Sequence, residues 1–202
     1  MASKMDEAPQ VHLEDRAAWR AWLEANHATS SGVWLVGWRK GFGRRIEYEH
    51  AVEEALCFGW IDGQGGNLDE RRSRQWFSTR QPTSGWAATN KARVERLMAE
   101  GRMTPAGLAA IDRAKANGSW TLLDGPEQGV VPDDLAATLA ASPPAAANFD
   151  AFPKAVRQML LTWIALAKRP ETRAARIREI AEKAALNERA GPAARREGRP
   201  GR

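Results

Sequence analysis

Apolar residues recur at helical spacing between Glu14 and His27, where Ala18, Trp22 and Ala25 share a face and Trp19 lies beside them. The run "GVWLVGW", Gly32 to Trp38, is continuous rather than periodic. Its β-forming composition and the Ser30, Ser31 and Gly41 at its borders predict a central strand covered on both faces. Tyr48, Val52, Ala55 and Leu56 then form a second helical stripe ending near Gly59, with Glu49, His50, Glu53 and Glu54 on the opposite, solvated side. Residues 69–79 alternate loosely and read as an edge strand or hairpin arm. Ser84 is a candidate N-cap for a helix running to about Glu100, stopped by Gly101, and Thr104 with Pro105 opens another that ends before Gly118.

Beyond "LLDGPEQGVVP" the pattern is helical only. Helices are expected from Pro132 to about Ala141, after Pro143, from Pro153 to Lys168 and from Pro170 to about Arg189. Each start carries proline near its first turn, where the missing amide hydrogen has no partner to lose. Val156, Leu160, Trp163 and Ala167 make an apolar stripe that Ile177, Ile180 and Ala184 can cover. The reading is α+β: a small antiparallel sheet packed with helices over residues 12–122, a helical segment over 130–188, and a disordered basic tail over 189–202.

The net charge of +5 hints at an anionic partner, but the Arg-rich end from residue 188 onward supplies +3 of it. The body is nearly balanced, so nucleic-acid binding is not the expected role, although Arg71, Arg72 and Arg74 with the tail would be its footprint. There is no signal-peptide pattern and no apolar run long enough to span a membrane, so the expected location is the cytoplasm. Cys57 is the only cysteine and reads as a buried thiol. His12, His27 and His50 are scattered without ligand spacing, so neither a metal nor another cofactor is expected. The Glu47, Glu49, Glu53 and Glu54 face could hold a hard cation only loosely.

Two features carry candidate chemistry. Asn90 lies in an apolar stripe with Trp86, Val94 and Leu97, beside Arg93, and a buried amide of this kind requires a hydrogen-bond partner. In "GWIDG", Asp62 before Gly63 is the chemistry of a turn, its carboxylate taking nearby backbone amides. Alternatively, Trp60 and Asp62 line a cleft with Arg80, Trp86, Asn90 and Arg93, the tryptophans as flat walls and the charged groups fixing a polar ligand.

The stretches "YEHAVEEALCFGWIDG", "WFSTRQPTSGWAATNKARVERLMAEGRMTPAGLAAI" and "WIALAKRPETRAARI" together resemble the YdeI/OmpD-associated, or bacteriocin-protection, family, over about Trp19 to Ala185. The resemblance implies an N-terminal α/β region related to the frataxin-like YjbR/CyaY superfamily and a helical segment over roughly 131–186. It implies no established enzymatic activity and a role in bacteriocin or stress protection. Its pattern falls on Gly59, Trp60, Ile61, Asp62, Phe77, Ser78, Arg80, Ser84, Trp86, Asn90 and Arg93. One departure is Thr79, where the pattern has proline before the arginine.

The leading expectation is a binding protein whose Trp60, Asp62, Arg80, Trp86, Asn90 and Arg93 hold a small polar or anionic ligand or a peptide, with the helical segment meeting a protein partner. The alternatives are an enzyme using Asp62 as general base with Arg80 as anion clamp, a weak nucleic-acid binder, and an iron carrier using the acidic helix.

Overall fold

The computed structural model describes residues 8–197. The chain divides into two compact units, the first running to Ser84 and resuming over Thr89–Asn117, the second made of Gly85–Ala88 and the chain from Gly118 onward.

The first unit opens with β1 (Gln10–His12) and α1 (Arg16–Asn26), followed by β2 (Gly32–Trp38), α2 (Tyr48–Cys57), β3 (Trp60–Asn67) and β4 (Arg72–Thr79). Two helices, α3 (Ala88–Ala99) and α4 (Pro105–Ala116), follow. Asp15 caps α1 by accepting the Ala18 amide at 2.8 Å, and Thr104 caps α4 by accepting the Gly107 amide. The strands form one sheet in the order β1-β2-β4-β3. β1 pairs parallel with β2 and the other pairs are antiparallel, so the α+β expectation holds with a sheet that is mixed.

β2 is internal and buried on both faces, as its continuous apolar run predicts, with Val33 opposite Phe77 and Trp34 opposite Trp76. Trp19 on α1 packs 5.2 Å from Phe77 and donates its indole N–H to the Ala51 carbonyl on α2 at 3.0 Å. Helices α1 and α2 therefore cover the Phe77 face. β4 lies between β2 and β3, so of the two expected readings it is the hairpin arm, antiparallel to β3, and not the edge strand. Loose alternation signals partial burial, which a paired strand next to an edge shares with the edge itself. Helix α3 begins at Ala88, four residues after Ser84, so Ser84 does not cap it.

The second unit is helical: α5 (Asp124–Gln128), α6 (Asp133–Ala140), α7 (Pro143–Ala151), α8 (Lys154–Ala165), α9 (Pro170–Ala185) and α10 (Gly191–Glu197). Its core holds Val156, Leu160, Ile177, Ile180 and Ala184 of the stripes predicted to meet, with Trp163 partly buried against it and Ala167 outside it, and adds Leu135, Leu139, Phe149, Leu161 and Ile164. Ala190 and Ala193 join that core, so the chain from 189 to 197 is built into the unit where a disordered tail was expected. The rest of that expected tail lies outside the described residues. Small residues let the chain dock closely, which a reading weighted to Arg, Gly and Pro does not register. No helix among the described residues is long and apolar enough to cross a membrane.

Candidate functional site

"GWIDG" is the start of a strand, contrary to the turn expected from Asp62 and Gly63. Gly59 adopts φ 72° after α2, a conformation glycine takes without strain, and the chain enters β3 at Trp60. Trp60 is a core residue, edge-on to Trp22 at 5.9 Å, with its indole N–H donating to the His27 carbonyl at 3.4 Å. Asp62 sits opposite Phe77, on the helix-covered face, and its Oδ2 accepts the Tyr48 hydroxyl at 2.6 Å. Burial first, and the Asp62 carboxylate second, push the Tyr48 hydroxyl up to about 12. An Asp62 general base would need a carboxylate open to substrate, and Oδ2 already accepts the Tyr48 hydrogen bond.

Asn90 and Arg93 join Asp62 through the start of α2. Arg93 grips Glu49 with two hydrogen bonds of 2.7 Å each, and its third nitrogen donates to Asn90 Oδ1 at 2.8 Å. The partner that the buried amide required is thus one turn along its own helix. The Arg93 hydrogen bonds hold Glu49 below the usual carboxylate range, and Glu49 raises Arg93 in return. Tyr48, Glu49, Asp62, Asn90 and Arg93 form one polar cluster tying α2, β3 and α3 together.

Arg80 follows β4, and its amide donates to the Gly59 carbonyl at 3.0 Å. Only 7 % of its surface is exposed. Burial pushes its guanidinium down to about 10, with the nearby Asp62 charge partly opposing the shift. A cavity of about 280 Å³ is lined by Trp60, Arg80, His27, Arg113, Phe58 and residues of α4. His27 and Arg113 were not among the expected site residues, since nothing in their local sequence links α1 and α4. Trp86 belongs to the second unit, where it packs on Trp120 at 5.0 Å and its amide donates to the Ser119 carbonyl.

The acidic face of α2 is solvated only in part: Glu49 and His50 are exposed, whereas Glu53 and Glu54 are buried. Glu54 has no exposed surface and Glu53 retains 3 %. Glu54 accepts hydrogen bonds from Arg16, from Arg20 at 2.8 Å and from Arg102, while Glu53 accepts from Arg16 at 2.7 Å and from Arg96. Burial would raise the Glu53 carboxyl, but the Arg96 and Arg16 guanidiniums outweigh it and hold the group below its usual range. Two of the four carboxylates expected to hold a cation loosely, Glu53 and Glu54, are thus committed to arginines. Among the described residues no group of three or more His, Cys, Asp or Glu is placed to hold a metal. Cys57 is buried, and burial pushes its thiol up. Of the basic strand, Arg72 pairs with Asp69 at 2.6 Å and Arg74 stacks 4.2 Å over the Trp34 ring.

A second cavity in the first unit, about 360 Å³, lies beside Tyr48. It is lined by Leu35, Arg45, Ser73 and Gln75, and by Gly65 to Asn67 of β3.

Comparison with known proteins divides the chain in a similar place. Residues 11–110 match a domain of unknown function, DUF8412. No curated protein and no solved structure matches the chain. Residues 128–187 match the family described as "Bacteriocin-protection, YdeI or OmpD-Associated", so the helical segment is similar to a family named for bacteriocin protection.

Proposed function

We propose that the chain is a binding protein whose first unit takes a small anionic ligand in the cavity between Trp60, Arg80, His27 and Arg113, in the service of the protective role its helical segment suggests. One observation carries the reading: the lining brings two arginines and a histidine from three elements distant in sequence, and none of the described residues lining it is acidic. A guanidinium as deeply placed as Arg80 attracts an anion in a low effective dielectric, and its planar fork suits carboxylate or phosphate oxygens. Phe58, Trp60, Ala106 and Ala109 supply apolar walls, and the volume suits a small molecule. Asp62, Asn90 and Arg93 serve as positioning residues, because their cluster fixes β3 against α2 and α3 close to Arg80. Trp86, buried against Trp120 in the second unit, is not part of this cavity.

Isothermal titration with inorganic phosphate and citrate at low salt tests the proposal. Binding weakened about tenfold by Arg113→Gln, with the unfolding midpoint unchanged, is the expected result; tenfold corresponds to about 1.4 kcal/mol. Arg80→Lys keeps the charge and loses the fork, and weakens binding as well. No heat with either anion at millimolar concentration, or equal binding by Arg113→Gln, overturns it.

A further inference from the structure

The cavity beside Tyr48 opens along β3, and β3 is an outer strand of the sheet, hydrogen-bonded only to β4 within it. From Gly63 to Asn67 every residue is exposed and uncharged. An outer strand is normally blunted against pairing by lysine, proline or an inward charge. Here Asp62 supplies an inward charge near the start of the strand and a bulge lies between Asp62 and Gly65, which leaves the following three residues in regular register with Gln75, Arg74 and Ser73.

The glycines of this edge differ in why they are glycine. A Cβ on Gly63 would come within 2.8 Å of the Trp76 ring, so glycine is demanded there, while one on Gly65 would come within 2.3 Å of the Gln75 amide oxygen, the movable end of a flexible side chain. Gly66 has no such demand. Its Cβ position has nothing within 4 Å and its backbone is not left-handed, so the fold would accept a side chain there. An edge glycine that the fold does not need suits close approach by another backbone.

What approaches is set by the cavity. A strand added outside β3 places alternate side chains on the Phe77 face, where Tyr48, Gln75 and Ser73 offer polar groups and Arg45 supplies a cation. Arg45 is held by Glu47, which lines the same cavity, through two hydrogen bonds of 3.3 Å; the two side chains are 38 % and 61 % exposed, so the pair is weak and an incoming carboxylate competes with Glu47 for the guanidinium. We propose that the outer edge of β3 from Gly63 to Asn67 is a docking strand for an extended segment of a partner protein, one of whose Asp or Glu side chains enters the cavity beside Arg45. Main-chain hydrogen bonds supply the attachment, and the cavity selects the acidic side chain. This site is separate from the Arg80 cavity and does not depend on it.

The test uses the full chain and a capped peptide, acetyl-Thr-Val-Glu-Val-Thr-amide, followed by amide chemical shifts and hydrogen exchange. Shifts and slowed exchange confined to Gly63–Asn67 are expected. Binding should weaken at least tenfold when the peptide glutamate becomes lysine, when alternate peptide amides are N-methylated, or in Arg45→Gln. Gly66→Val, which the fold accommodates, should also weaken it while leaving the unfolding midpoint in place. No change at β3 overturns the proposal, as does binding indifferent to N-methylation. A β3 edge already protected in a concentration-dependent dimer assigns the edge to a second copy and overturns it too. Phosphate competition that displaces the peptide would place it at Arg80 and equally sink the β3 assignment, whereas loss of phosphate binding alone bears only on the Arg80 reading.

Discussion

The two units solve the problem of burying helices in opposite ways. In the first, α1 and α2 meet through Trp19 on the Ala51 carbonyl and, beside it, through charge: Glu53 and Glu54 turn inward and are enclosed by Arg16, Arg20, Arg96 and Arg102. In the second, α6 to α10 meet through Leu, Ile, Phe and Ala, and its ion pairs, Asp134 with Arg173 and Lys183 with Glu188, stay at the surface. A buried ion cluster needs every partner in place, because its attraction only offsets the desolvation of its members. An aliphatic core fails gradually with lost volume. The first unit should therefore be brittle towards single charge changes and acid, and the second tolerant of both.

The largest effect should come from Glu54→Ala. It leaves three guanidiniums facing an apolar gap, and removing one member of a fully buried pair costs about 3 to 5 kcal/mol. Arg16, Arg20 and Arg102 each keep more than a quarter of their side-chain surface in water, which points to the lower end, about 3 kcal/mol. Urea unfolding with peptide-resolved hydrogen exchange should show loss of protection in α1, α2 and α4 but not in α8 and α9. Equal loss in both units would break the comparison.

Acid is a milder probe. Glu53 and Glu49 have folded values below their unfolded ones, so their contribution is fully present above the unfolded carboxylate range and disappears as pH falls through the lowered folded values. Lowering the pH from 6 towards 3 should reduce protection in α1 and α2 first. Protection lost first in α8 and α9 would contradict this.

These carboxylates also show where the sequence stops being legible. Periodicity assigns Glu53 and Glu54 to the face of α2 away from Val52 and Leu56, and that assignment is sound as geometry. Burial was invisible because the arginines that permit it lie on α1, at the end of α3 and just before α4, and no local pattern links them. Asn90 was more readable, since a polar side chain in an apolar stripe must find a partner, and Arg93 is close enough to supply it. β2 and the α8–α9 stripes could be read directly from apolar runs. β3 could not, because its glycines lack strand propensity, and at Gly63 the residue is dictated by the Trp76 ring across the sheet. His27 and Arg113 are likewise brought to Arg80 only by tertiary packing.

Tyr48→Phe probes the polar cluster more gently. It removes the hydroxyl that Asp62 accepts, at a site where water can replace it, so about 0.5 to 1.5 kcal/mol is expected. Because Tyr48 also lines the cavity beside β3, peptide binding should change together with stability. Asp62→Asn, which keeps the shape, should act in the same direction and less. An unchanged melting temperature in both would remove the cluster from the account of β3.

The smallest effect belongs to the second unit. Arg173 holds Asp134 with two hydrogen bonds of 2.7 and 2.9 Å, a geometry as good as any in the first unit, and the guanidinium holds this carboxyl below its usual range. Geometry is not what separates the pairs; solvent is. Asp134 keeps 47 % of its side-chain surface exposed and Arg173 keeps 35 %, so water replaces the bond when it is lost. Asp134→Ala should therefore cost about 0 to 1 kcal/mol. Part of that is the loss of an acceptor for the Leu135 amide in the first turn of α6. Raising the salt to 1 M should erase most of the difference between Asp134→Ala and the unaltered chain, since exposed pairs are screened. The same salt should barely narrow the gap for Glu54→Ala, whose carboxylate site lies beyond the reach of the ions. If both gaps close in salt, the Glu54 cluster is solvated and the contrast between the units fails.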